Sequence, residues 1–120
     1  MTWKDLFKER EEIVLATTSK TGFPRAIVAT SLGFSDEKLL IGICQMKKSF
    51  ENLKENNNVS LVAMKDKEYY MIMGKTEIFS SGKYFGIAVK RSKKCPPLPH
   101  HVLVVNIKEV FDLDKVKKIF

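Results

Sequence analysis

The sequence predicts a mainly β fold: a small barrel of six antiparallel strands, with a short N-terminal helix and a further helix inserted after the third strand. Three observations carry this expectation. From Pro24 to Gly33 the side chains alternate as on a strand, with Ala26, Val28, Thr30 and Leu32 on one face and Arg25, Ile27, Ala29 and Ser31 on the other. Short β-rich runs recur between turn signals at Ser19-Lys20-Thr21-Gly22, Ser35-Asp36-Glu37 and Asp66-Lys67-Glu68. Helical spacing is confined to a few short segments, so strands outnumber helices. Closure into a barrel removes the exposed edges such strands would otherwise present.

Each element has its own signal. Thr2-Trp3-Lys4-Asp5 has the form of a capping box, and Trp3, Leu6 and Phe7 follow at helical spacing, which predicts an amphipathic helix over residues 3 to about 11. Strands are expected at Ile13 to Thr18, Pro24 to Gly33 and Lys38 to Cys44. Phe50 and Leu53 then recur at helical spacing from Lys47 until Asn56-Asn57-Asn58 ends the helix. Val59 to Met64 and Tyr69 to about Ser80 read as the next strands, the second with a bulge or bend at Gly74. Ser81 to Ser92 leans towards helix. Three prolines exclude regular structure over Cys95 to Pro99. His101 to Val110 is a last strand, followed by a helical turn from Asp112 to Lys118.

Bulk properties narrow the function classes. At 120 residues the chain fits one domain, residues 1–120, able to bury a core without disulfides. No apolar run approaches the roughly 20 residues of a membrane helix, and the charged N-terminus is unlike a signal peptide. Cys44 and Cys95 have neither disulfide-framework nor metal-ligand spacing. A soluble cytoplasmic protein with no membrane partner and no metal is expected. The formal charge of +7 favours anionic ligands, though it also serves solubility.

The chemistry concentrates in Gln45-Met46-Lys47-Lys48-Ser49-Phe50-Glu51-Asn52-Leu53, where a strand end feeds a helix. The first N–H groups of a helix lack internal partners and favour an anion, and two lysines and a hydroxyl stand beside them. Cations at a helix start oppose the helix dipole unless an anion binds there. Ser49 is also a candidate N-cap. Arg25 has two readings, as an anion ligand or as the partner of Asp36 or Glu37.

Gly22-Phe23-Pro24-Arg25-Ala26-Ile27-Val28, Lys48-Ser49-Phe50-Glu51-Asn52-Leu53 and Asn57-Asn58-Val59-Ser60-Leu61 together resemble the pyridoxamine 5′-phosphate oxidase-like, FMN-binding split-barrel family. The resemblance runs from about Ile13 to Asp114 and implies a homodimeric split barrel with FMN at the subunit interface. It implies that Arg25 and Lys48 hold the phosphate with Ser49, that Ala26, Ile27 and Val28 lie along the ring, that Asn52 fills the family's amide position, and that Gln45 lies near the ring. It further implies a flavin-dependent oxidoreductase whose small-molecule substrate is unknown. Thr30 stands where the oxidase has lysine, and no C-terminal Arg/Trp signature is found, so oxidation of pyridoxamine phosphate itself is not expected.

Two alternatives belong to other classes. One is a small-barrel binder of single-stranded nucleic acid, with Tyr69, Tyr70, Phe79, Tyr84 and Phe85 as stacking platforms in a basic groove. The other is a flavin-binding store or sensor without catalysis. A deazaflavin or haem is a further possible ligand. His100-His101 raises the haem question, but neighbours on a strand point to opposite faces, and a loop-to-strand junction is the expectation.

Overall fold

The structure, a computed structural model, describes residues 2–93 and 98–120. A 3-10 helix at Trp3–Phe7 precedes strands β1 (Glu12–Thr18), β2 (Pro24–Ser35) and β3 (Lys38–Ile43). Helix α1 (Lys48–Glu55) leads to β4 (Asn58–Lys65) and β5 (Glu68–Phe79). Helix α2 (Lys83–Ser92) leads to β6 (His101–Asp112), and a two-residue strand, β7 (Lys117–Lys118), follows. The sheet order is β3-β2-β1-β4-β5-β6-β7, and a β3–β6 pairing closes the first six strands into an antiparallel barrel. The fold is thus the split barrel that the sequence leads one to expect.

Local sequence explains the hairpins. Asp36 and Glu37, and likewise Asp66 and Lys67, have positive φ at both central positions, the conformation that matches the twist of two-residue hairpins. At Gly74 the β5–β6 register shifts, as a bulge requires. A Cβ there would lie 2.6 Å from the Asn106 carbonyl oxygen, so only glycine fits without movement.

Inward-facing residues of β1 (Ile13, Leu15) meet Leu39, Ile41, Leu61, Ile72, Leu103 and Val105, and Leu6 and Phe7 join the same core. Each fully buried side chain of this kind contributes about 1.5–3 kcal/mol. A smaller cluster lies outside the barrel, where Ala88 of α2 packs with Leu32, Leu40, Val102 and Val104. Val102 to Val105 is therefore apolar on both faces because the barrel core covers one face and α2 the other. A strand apolar on both faces can also mark a surface for a second subunit; here the chain covers both faces of this stretch itself.

Two elements differ from expectation. The N-terminal helix stops at Phe7 because the Ser31 hydroxyl donates to the Phe7 carbonyl at 2.6 Å and Arg10 turns the chain at φ 78°. Asp112 to Lys118 is not a helical turn. The Asp112 carboxylate accepts the N–H groups of Asp114 and Lys115, Val116 adopts φ 51°, and the chain reverses so that Lys117 and Lys118 pair with Asp112 and Phe111. The irregular backbone expected over Cys95 to Pro99 is seen at Leu98 and Pro99; Cys95, Pro96 and Pro97, like the basic Lys94, lie outside the described residues.

Candidate functional site

A cleft of about 800 Å³ runs along β2 and the β3–α1 connection. It collects Arg25, Ile27 and Val28 from β2, Gln45 from the connection, and Lys48 and Ser49 from the start of α1. Their convergence follows from topology. β2 pairs with both β1 and β3, and the helix after β3 folds back against β1 and β2. The Asn52 amide donates to the Thr17 hydroxyl at 3.1 Å, and Thr17 is the cross-strand partner of Arg25. That bond draws α1 to the Arg25 end of the cleft.

The other two sequence-selected residues lie differently. Ala26 is exposed on β2 and does not line the cleft. Asn52 does not line it either; its amide is engaged with β1, where it positions the helix that carries Lys48 and Ser49.

The electrostatics favour an anion. Among the described residues the cleft is lined by the cations Arg10, Arg25, Lys47 and Lys48 and by a single carboxylate, Glu12. Among the described residues Arg25 makes no ion pair; Asp36, in the hairpin past the far end of β2, is engaged by Lys83 and Tyr84 at the start of α2. Those hydrogen bonds, Lys83 first, hold the Asp36 carboxyl below its ordinary range. Lys48 pairs with Glu51 at 3.4 Å, but both ends are solvated and such a pair contributes little.

Ser49 is the most informative side chain. It is the second residue of α1, not its N-cap; Lys47 takes that position. Its residue is 1% exposed, and its hydroxyl oxygen is the one buried side-chain polar atom among the described residues without a hydrogen-bond partner. Orphaned buried polar groups are uncommon because desolvation is costly when no partner replaces water. A hydroxyl left so, in the first turn of a helix that lines the same cleft as Lys48 and Arg25, fits a phosphate oxygen as its missing partner.

Other sequence features resolve into structural roles. Lys83 pairs with Asp36, and the Arg91 guanidinium donates to the carbonyls of Leu32 and Phe34 at the β2 register shift. The aromatic residues offer no common platform: Tyr70 is buried, while Phe79, Tyr84 and Phe85 pack in the cluster beneath α2. Cys44 lines the cleft, and burial pushes its thiol up, away from the nucleophilic thiolate. His100 precedes β6 and His101 begins it, so alternation does not separate them; their Nδ1 atoms stand 2.6 Å apart, with Phe50 against both rings. No group of three or more metal-ligand side chains occurs among the described residues.

Arg10, like Glu12, is a charged cleft residue that the sequence does not mark. It lies in a run of charged residues, Lys8 to Glu12, with no periodicity or motif to mark it.

Comparison with known proteins gives a consistent picture. The family model for pyridoxamine 5′-phosphate oxidase matches residues 2–114. HupZ of Group A Streptococcus superposes with a TM-score of 0.88 at 18% identity, over 98% of this chain and 95% of that one. An FMN-binding protein from Syntrophomonas wolfei gives a TM-score of 0.73 at 18% identity, over 90% and 79% of the two chains. HutZ, the haem storage protein from Vibrio cholerae, gives 0.72 at 16% identity, over 91% and 90%. No curated protein matches the chain.

Proposed function

The chain belongs to the pyridoxamine 5′-phosphate oxidase family, and from that premise we propose that it binds FMN in the β2–α1 cleft and serves as a flavin-dependent oxidoreductase. The observation that carries the reading is the orphaned Ser49 hydroxyl, in a residue that lines the cleft together with Lys48 and Arg25. A phosphomonoester carries about −1.5 to −2 charges near neutral pH, which suits two cations and a donor better than one cation alone. Ile27 and Val28 supply the apolar wall for the ring, and Gln45 an amide at the β3–α1 connection. Bound there, FMN would supply hydride and single-electron chemistry that side chains cannot. Thr30, where the oxidase has lysine, argues for a substrate other than pyridoxamine phosphate.

A homodimer is part of the proposal. The outer face of β1, β2 and β4 presents Val14, Val28, Val62 and Met64 around a shallow apolar groove, with Val28 and Met64 each 66% exposed. Val28 belongs to both this groove and the cleft, so a second copy seated on the face would also cover the ring.

The test begins with a visible spectrum of the purified protein. A yellow protein that releases FMN on denaturation is expected, with melting raised by added FMN; ligand at 100 times Kd adds about 2.7 kcal/mol of stability. Reduction by NADH or NADPH and reoxidation by a substrate would establish catalysis, and its absence with every donor would leave a flavin store or sensor. A colourless protein whose melting ignores FMN refutes the proposal, and a haem spectrum would replace the flavin.

A further inference from the structure

The histidines at the start of β6 do not line the cleft, and they make a polar cluster of their own. His100 and His101 turn their Nδ1 atoms towards each other at 2.6 Å, with the two rings nearly perpendicular at 85°. Alternation along a strand would send neighbouring side chains to opposite faces. His100 stands just ahead of β6, so that rule does not hold it. The chain thus brings two imidazole nitrogens to a single point.

Both residues are anchored from behind. The His100 N–H donates to the Ile43 carbonyl at 3.0 Å, and His101 pairs with Ile43 across the β3–β6 ladder. In front, Phe50 of α1 packs against the two rings at centroid distances of 5.7 Å and 5.0 Å. Phe50 rests on the barrel core, so the rings lean on a fixed wall. The Lys54 ammonium lies over the same Phe50 ring at 4.6 Å. Among the described residues no carboxylate bonds to either histidine.

We propose that His100 and His101 form a two-nitrogen site for a late first-row divalent metal ion, of the zinc, nickel and copper class. Neutral imidazole is a ligand these ions favour, through either ring nitrogen. With metal–nitrogen distances of about 2.0–2.1 Å, two such ligands at right or tetrahedral angles stand about 2.9–3.4 Å apart. The pair therefore needs to open by less than about 1 Å to admit the ion. His100 is exposed and free to make that small rotation. The proton between the rings moves to Nε2 of the donor ring, so both Nδ1 lone pairs face the metal. Water fills the remaining positions. Without a carboxylate, magnesium and calcium find no reason to bind. Nor does the arrangement suit a haem, whose axial ligands stand on opposite sides of the iron. The site is separate from the cleft and does not rest on the flavin reading.

The test is a calorimetric titration of the full chain, free of any polyhistidine tag, at neutral pH. Zinc is the main probe, with copper(II) and magnesium in parallel. One zinc per chain is expected, with copper(II) tighter, following the usual order of divalent affinities, and magnesium without heat. Loss of an outer hydrogen-bond partner of a ligand costs metal affinity about 10- to 100-fold, so loss of one of two ligands should cost at least as much. His100→Ala and His101→Ala should each weaken zinc by roughly tenfold or more, and the double variant should be little worse than either single one. Melting curves confirm that the variants are folded, and zinc should shift the ring-proton NMR signals of both histidines together. Absence of saturable zinc uptake overturns the proposal. So does a single variant that binds zinc as the parent does, or a pair of losses that simply add, the mark of two independent surface histidines.

Discussion

Replacing Ser49 by alanine should move stability and ligand affinity in opposite directions. In the ligand-free protein the hydroxyl is buried and bonds to nothing, so it carries a desolvation cost of about 1–3 kcal/mol that a methyl group avoids. Alanine creates no cavity beyond a single oxygen and suits the interior of α1 at least as well as serine. The ligand-free variant should be more stable by up to that amount, a rise of roughly 3–6 °C in melting temperature per kcal/mol for a chain of this size. In the proposed FMN complex the same hydroxyl would donate to a charged phosphate, a contact worth about 1.5–3 kcal/mol, so FMN affinity should fall roughly 10- to 150-fold. Scanning calorimetry of the ligand-free protein and titration with FMN and with riboflavin separate the two effects. Riboflavin lacks the phosphate, and its affinity should be unaffected. A variant that melts lower and binds FMN as well as the parent would refute the assignment of the orphaned hydroxyl to the phosphate.

Arg25→Ala, at an exposed position without an ion pair among the described residues, should leave melting within about 0.5 kcal/mol of the parent while weakening FMN by roughly one to two decades, measured by fluorescence titration. Gly74→Ala should destabilise by about 1–3 kcal/mol in urea unfolding, since its Cβ would press on the Asn106 carbonyl. His101 is held below the ordinary imidazole range by burial first, then by His100 and Lys54. Its contribution is therefore present above the unfolded value near 6.5 and lost as pH falls through the lower folded value. Melting should decline with acidification across that window, and His101→Gln should flatten the decline. Val28→Asp would bury a charge in the proposed subunit interface and should yield monomers by sedimentation; an unchanged dimer would place the interface elsewhere.

The sequence by itself determined the six barrel strands, the hairpins and the basic end of the cleft at Lys48 and Ser49. These are local features: alternation selects a strand face, paired turn residues accept positive φ, and Lys48 and Ser49 open a helix because the strand before them has ended. Even the Gly74 bulge is legible, because an isolated glycine interrupts a strand pattern. What the sequence left undecided depends on chain segments far apart in number. The outer face of Val102 to Val105 looks like a partner surface until α2 is seen to lie over it. The N-terminal helix ends early because Ser31, 24 residues away, takes the Phe7 carbonyl. Asn52 carries a recognisable family position, yet its bond to Thr17 makes it a support for α1. Arg10 has no motif at all and reaches the cleft only through its backbone bond to β2. Periodicity records which face of an element is buried. It does not record what buries it, and the barrel closure that joins β3 to β6 decides that.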